Sequence, residues 1–196
     1  MKIKESIKEW VKSLSAAALI LLLLKVTGLL GSVSYAAQSA LLKTGLMDAS
    51  SQEIQEGEIL NYNFSVKDLN DTRIDFNQYK GNVVFINLWA TWCAPCRAEM
   101  NNIQKLYDKI DHEKIKFVMV SFDKETERES VSRFLKKNSY TFPVFMPAEY
   151  LSPQLNSPSI PTTFVISKEG KIVAKEVGTT NYNTSKFKKF LEQLAN

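Results

Sequence analysis

The chain has 196 residues, 44% hydrophobic and 11% aromatic, enough for one packed domain plus an appendage. Its net charge of +4 sits at the front: residues 1–36 hold five lysines and two glutamates, leaving 20 basic and 19 acidic side chains in the other 160 residues. That near-neutral body lacks the basic patch of a nucleic-acid binder, and two cysteines cannot build a disulfide framework.

Residues 1–36 read as a membrane element. Lys2, Lys4, Lys8 and Lys12 precede an apolar stretch from about Leu14 to Val33, and Ile3, Ile7, Trp10, Val11 and Leu14 recur at helical spacing. Positive charge ahead of the span predicts a cytoplasmic N-terminus and an extracytoplasmic remainder, with Trp10 suited to the interface. Lys25 opposes insertion by roughly 2.5–3.5 kcal/mol, which the flanking leucines offset. A cleaved signal peptide is the other reading, since Ser34-Tyr35-Ala36 offers small residues for a cut before Ala37. Both readings export the rest of the chain; a buried soluble helix is the remaining reading. Residues 37–56 read as a polar linker, and a globular pattern occupies residues 57–196.

Leu60, Tyr62, Phe64 and Val66 alternate as in a half-buried strand, and Asn70-Asp71 turns the chain into a second short strand around Ile74 and Phe76. Asn82 to Leu88 is a nearly continuous β-prone run, expected of a central strand buried on both faces. The spacing of Met100, Ile103, Tyr107 and Ile110 predicts a helix over 94–110. A strand over 115–122 and a helix over 127–137, with Val131, Phe134 and Leu135 inward, come next. Residues 144–146 then read as a short strand or an extended connection. Residues 162–167 and 171–177 flank Lys168-Glu169-Gly170 as an antiparallel hairpin, and Thr184 caps a last helix carrying Phe187, Phe190, Leu191 and Leu194. This order builds an α/β domain: a mixed sheet flanked on both faces by helices, with an N-terminal β-hairpin extension.

The chemistry lies in Trp92-Cys93-Ala94-Pro95-Cys96, which holds both cysteines of the chain. At a helix N-terminus the free N–H groups and the macrodipole stabilise an anion, so a Cys93 thiolate forms more readily there than on a free thiol. Pro95 fits the first turn, where its missing N–H costs little. Cys93 attacks a substrate disulfide, and Cys96, one turn deeper, resolves the mixed disulfide; run backwards, the cycle oxidises the substrate. A static staple is the alternative, but so short a loop constrains the unfolded chain little. Zinc requires about four Cys, His or carboxylate ligands; the only histidine, His112, lies in the polar Asp111-His112-Glu113 turn. No metal and no cofactor are expected.

The run from Asn87 to Met100 (NLWATWCAPCRAEM), with Ser159-Ile160-Pro161-Thr162-Thr163-Phe164 and the Phe76–Gly81 stretch (FNQYKG), resembles the thioredoxin superfamily over about residues 57–195. Within that superfamily the chain is most similar to the TlpA/ResA-like group of exported thiol–disulfide oxidoreductases. The resemblance implies a thioredoxin-like fold behind an N-terminal membrane helix. It makes Pro161 a cis-proline beside the dithiol, with the Ile160 backbone facing Cys93 and pairing with a bound peptide. Trp92 would cover the disulfide and contact substrate, and Trp89 would pack. Asn87 stands where thioredoxins have a buried aspartate, so that proton relay is missing. In its place the resemblance implies Glu99 as the group that exchanges a proton with Cys96 or raises the thiol pKa values. The alternative for Glu99 is a solvated first-turn carboxylate. Arg97 reads as a surface charge.

The family resemblance further implies a reductant in the cell envelope (periplasm), acting on exported proteins such as apocytochrome c and fed by a membrane thiol-electron donor. Two rivals use related folds. A thiol peroxidase of the peroxiredoxin type has Thr-x-x-Cys, whereas Ala90 stands three residues before Cys93. A copper-delivery protein has Cys-x-x-x-Cys and a distal histidine, and here the spacing is shorter and no histidine follows His112.

Overall fold

In the computed structural model the described residues are 10, 12–16, 18–20, 22–23, 29–50 and 57–196. Lys2, Ile3, Lys4, Ile7, Lys8, Val11 and Lys25, on which the expected membrane element draws, lie outside them. Among the described residues no helix is long and apolar enough to cross a membrane, so the described fold does not include the expected membrane helix. The last five residues of the expected apolar stretch open helix α1 (Leu29–Leu41), which packs on the domain.

The sheet has seven strands among the described residues: β1 (Ser65–Asp68), β2 (Arg73–Asp75), β3 (Val83–Trp89), β4 (Ile115–Ser121), β5 (Val144–Pro147), β6 (Thr162–Ile166) and β7 (Ile172–Val177). Helix α2 (Ala94–Tyr107) joins β3 to β4, α3 (Arg128–Asn138) lies between β4 and β5, and α4 (Ser185–Ala195) ends the chain. The spatial order is β2-β1-β5-β4-β3-β6-β7. β3, β4 and β5 run parallel, while the β1–β2 hairpin adds antiparallel to β5 and the β6–β7 hairpin adds antiparallel to β3. Every residue of β3 is buried, as its unbroken apolar pattern requires of a central strand. The alternation from Leu60 to Val66 marks burial rather than a long strand: all four apolar residues are buried, but ladder pairing starts only at Ser65.

Helices on both faces were expected, and the structure corrects this. The buried side chains of α2, α3 and α4 join one core cluster with Phe85, Trp89, Phe117 and Met119. The opposite cluster, around Val84, Ile86, Val118 and Phe164, contains no α-helical residue. It is covered by Leu60, Tyr62 and Phe64, by the 3₁₀ turn Phe76–Tyr79, and by Leu155 in the loop before β6. The cause is topological. Two right-handed crossovers that step the same way along a sheet, β3 to β4 to β5, put both their helices on one face. At the β6–β7 turn Gly170 has φ +83°, and the Tyr62 ring comes within 3.2 Å of where a Cβ would stand, so both backbone and space call for glycine.

Phe85 anchors the helical face, stacked on Phe117 with centroids 4.4 Å apart and edge-on to Tyr182 at 5.2 Å. Phe85→Ala is expected to cost about 3–5 kcal/mol, read as a lower urea midpoint; a loss under about 1 kcal/mol would mean the site collapses around the cavity.

The segment expected to be a loose linker, residues 37–56, is structured in its described part. Residues 37–41 continue α1, and Met47, Asp48 and Ala49 bond to Asn181: Ala49 N–H donates to its carbonyl (3.0 Å) and its own N–H donates to the Met47 carbonyl (2.6 Å). Ser34-Tyr35-Ala36, the small-residue site considered for cleavage, lies inside α1.

Candidate active site

Strand register builds the site. β3 and β6 are antiparallel with Leu88 paired to Thr162, so the residues just before β6 meet the chain as it leaves β3 for α2. Ile160 and Pro161 are joined by a cis peptide bond, and the Ile160 carbonyl oxygen lies 3.8 Å from Cys93 Sγ. Cys93 is the N-cap of α2, its sulfur accepting the Cys96 N–H at 3.2 Å, and Pro95 occupies the first turn. Cys93 and Cys96 form a disulfide, with Cα atoms 5.3 Å apart. Cys93 is 5% exposed and Cys96 fully buried, so the first sulfur is the one a partner reaches.

Glu99 lies one turn beyond Cys96 and is fully buried, which excludes the solvated reading. The Asn87 amide donates to its Oε1 (2.9 Å) and the Thr180 N–H to its Oε2 (3.0 Å). Burial pushes its pKa up to about 8, against the lowering pull of the Thr180 N–H and the Asn87 amide. The Asn87 amide also donates to Thr163 Oγ1 at 2.9 Å, and its carbonyl oxygen has no partner. Tyr182 is fully buried as well, and burial, then the Glu99 charge, holds its hydroxyl far above the ordinary value. Glu99 was legible in the sequence only as a position. Its donors Asn87 and Thr180 come from β3 and from the turn after β7, and no spacing links them.

Asp123 escaped sequence reading. It is buried and accepts from the Thr91 N–H (2.9 Å), the Thr91 hydroxyl (2.5 Å) and the Ser121 hydroxyl (2.6 Å). These bonds hold the loop that leads into Trp92 and Cys93. A polar Ser-x-Asp at the end of an apolar strand was the available signal. Glu99 and Asp123 are the buried ionisable acids among the described residues, and no Lys or Arg is buried with them.

Trp89 is fully buried against Phe134. Trp92 is 66% exposed and lines a groove of about 1170 Å³ together with Phe122, Tyr150, Leu155 and Ile160. Glu149, the one charged residue lining it, is paired with Arg73 at 2.6 Å, so the groove presents an apolar surface beside Cys93. Arg97 is half-buried and faces the Tyr35 ring of α1 at 5.8 Å. His112 is exposed after the far end of α2, stacked on Tyr107.

The AhpC/TSA family pattern matches residues 61–175. The thiol-disulfide oxidoreductase ResA of a Bacillus cereus strain is 36% identical over 118 residues, covering 59% of this chain and 66% of that protein. ResA of Bacillus subtilis (strain 168) is 34% identical over 133 residues, covering 67% of this chain and 72% of its own length. This chain thus spans about two thirds of the length of these relatives. Among solved structures, the thiol:disulfide interchange protein of the thioredoxin family from Chlorobium tepidum TLS superposes with a TM-score of 0.58 at 21% identity, covering 73% of this chain and 100% of that one; this likeness is one of fold.

Proposed function

This chain belongs to the AhpC/TSA family and is a thiol–disulfide oxidoreductase of the ResA type; from that premise we propose that it reduces disulfides of exported proteins, apocytochrome c among them, while anchored to the membrane outside the cytoplasm. The observation that carries the reading is the Cys93–Cys96 pair at the start of α2 with Glu99 buried one turn below. Cys93 thiolate attacks one substrate sulfur, forming the mixed disulfide and releasing the first substrate thiolate. Cys96 gives its proton to Glu99 and attacks Cys93 Sγ. The second substrate thiolate leaves, the Cys93–Cys96 disulfide forms, and two electrons have passed to the substrate. A membrane thiol donor then reduces the pair again.

The reducing direction is supported by the lack of a buried cation beside the dithiol among the described residues. Strong dithiol oxidants owe their power to a stabilised reduced, thiolate form. Here the described residues bury no Lys or Arg that would stabilise a thiolate, which leaves the disulfide the easier state to reach. The export reading rests on the lysines ahead of the N-terminal apolar stretch. Residues 1–36 act as the anchor and residues 57–196 as the catalytic domain.

Trp92, Ile160 and Pro161 form the substrate contact, with the exposed indole and the apolar groove gripping the chain around the target disulfide. Trp92→Ala is expected to raise KM for a protein disulfide about tenfold, with urea stability unchanged; equal KM values would remove Trp92 from the substrate surface.

The deciding experiment is capture in cells with Cys96→Ser, which forms the mixed disulfide and cannot resolve it. Exported proteins, apocytochrome c included, bound through Cys93 are the expected catch. A catch of cytoplasmic proteins alone would overturn the proposed compartment and substrate.

A further inference from the structure

Helix α1 wears its polarity inside out. Its inner face is polar: the Tyr35 ring lies under Arg97 of α2, and Gln38 accepts a hydrogen bond from the Thr179 hydroxyl, which also lies 3.4 Å from the Pro95 carbonyl oxygen. Leu42, just past the helix end, is 5% exposed and closes the contact. The outer face carries Leu29, Val33 and Leu41, exposed by 50%, 53% and 45%, with exposed Ala36, Ala37 and Ala40 between them. No residue of α1 is charged. A helix on the surface of a soluble domain shows the reverse pattern, with its apolar stripe inward and charge outward.

Two further observations say what covers this face. The apolar stretch that begins near Leu14 runs into α1 without a break in composition other than Lys25, and the described residues Leu19, Ile20, Leu22 and Leu23 are exposed as well. The strap after α1 is clamped to Asn181 by backbone bonds and by the Asn181 amide on Asp48 at 2.7 Å, so α1 is held to the domain at both its inner face and its end. An apolar face continuous with a membrane segment and fixed to a folded domain matches the boundary between headgroups and acyl chains.

We propose that the outer face of α1 lies in the lipid boundary of the bilayer, so that α1 seats the catalytic domain on the membrane through its polar grip on the start of α2. The inference rests on the membrane anchoring proposed above and adds to it a fixed orientation. Thr179, through Pro95, and Arg97 tie the seat to the first turn of the dithiol helix, so Cys93 keeps a set height over the lipid. The electron donor it can reach is then one whose thiols lie at the bilayer surface.

The test uses the full chain with vesicles of phosphatidylethanolamine and phosphatidylglycerol, with benzoylphenylalanine in place of Ala37 or Leu41, irradiated and analysed by mass. Flotation with the vesicles and lipid adducts at both positions are expected, while the probe at inward Ser34 gives adducts within the chain. Val33→Asp with Leu41→Asp should lower the Ala37 lipid adduct about tenfold or more, with flotation and insulin reduction retained. Flotation with only protein adducts at Ala37, from a second copy or another chain, would overturn the seat and leave the anchor standing. A chain that does not float would overturn both.

Discussion

Insulin-disulfide reduction falls to the uncatalysed rate when Cys93 is replaced by serine, a loss of about a thousandfold or more. The serine oxygen is a poor nucleophile toward sulfur and cannot enter the exchange. Cys96 does not take over, because it is fully buried while Cys93 is the sulfur beside the groove and the Ile160 carbonyl. The exchange is nearly isosteric, and the α2 N-cap survives it, since a serine oxygen accepts the Cys96 N–H as the sulfur does. Loss of turnover therefore reports chemistry, and an unchanged circular dichroism spectrum checks that the fold persists. Cys96→Ser gives a different signature, one stoichiometric release of substrate thiol followed by arrest. Multiple turnovers by the Cys93 variant would refute the assignment of the nucleophile.

The second large effect belongs to Glu99. Burial raises its pKa from an ordinary 4.5 to about 8. Between those values the native state holds a proton that the unfolded chain gives up. The stability this proton confers is full below about pH 4.5 and is lost progressively as pH rises through 8. The swing is on the order of 5 kcal/mol for a group this deeply buried. Glu99→Gln removes the titration, so its urea midpoint should hold nearly level where that of the wild type falls. Parallel profiles would place the pKa of Glu99 near its ordinary value. Catalysis should separate the same pair: without a carboxylate to take the Cys96 proton, release of the second substrate thiol slows about a hundredfold near neutral pH, and mixed disulfide accumulates. The rate of that step in the wild type should rise with pH as Glu99 ionises.

Much of this was legible because it is local. The run Val83–Trp89 announced a strand buried on both faces, Thr184 announced the start of α4, and Cys93 with Cys96 announced the first turn of α2. These features depend on residues within a few positions of one another. Other features depend on where the chain returns. Periodicity says that α3 has a buried face through Val131 and Leu135, but not which side of the sheet receives it; the direction of two successive crossovers decides that. Glu99 has the same appearance in sequence whether solvated or buried, and what buries it arrives from Asn87 and from Thr180, 81 residues away. The α1 contact is more remote still, since Gln38 and Thr179 are separated by 141 residues. Residues 37–41, read as the start of a linker, continue the helix because a polar surface awaits it.

The placement of every long helix on one face has a consequence for how such a protein diversifies. The helical layer carries Cys93, Cys96 and Glu99, and the buried apolar side chains of its helices share one core with the two cysteines. The opposite wall of the groove, from Glu149 to Ser159, is loop apart from a single short turn at Pro153–Leu155. Substitutions and length changes there alter what the groove accepts without moving the dithiol. Loops of this kind tolerate sequence drift far better than packed helices. One redox engine can thus be refitted to new protein clients by rewriting a single loop, with the chemistry inherited intact.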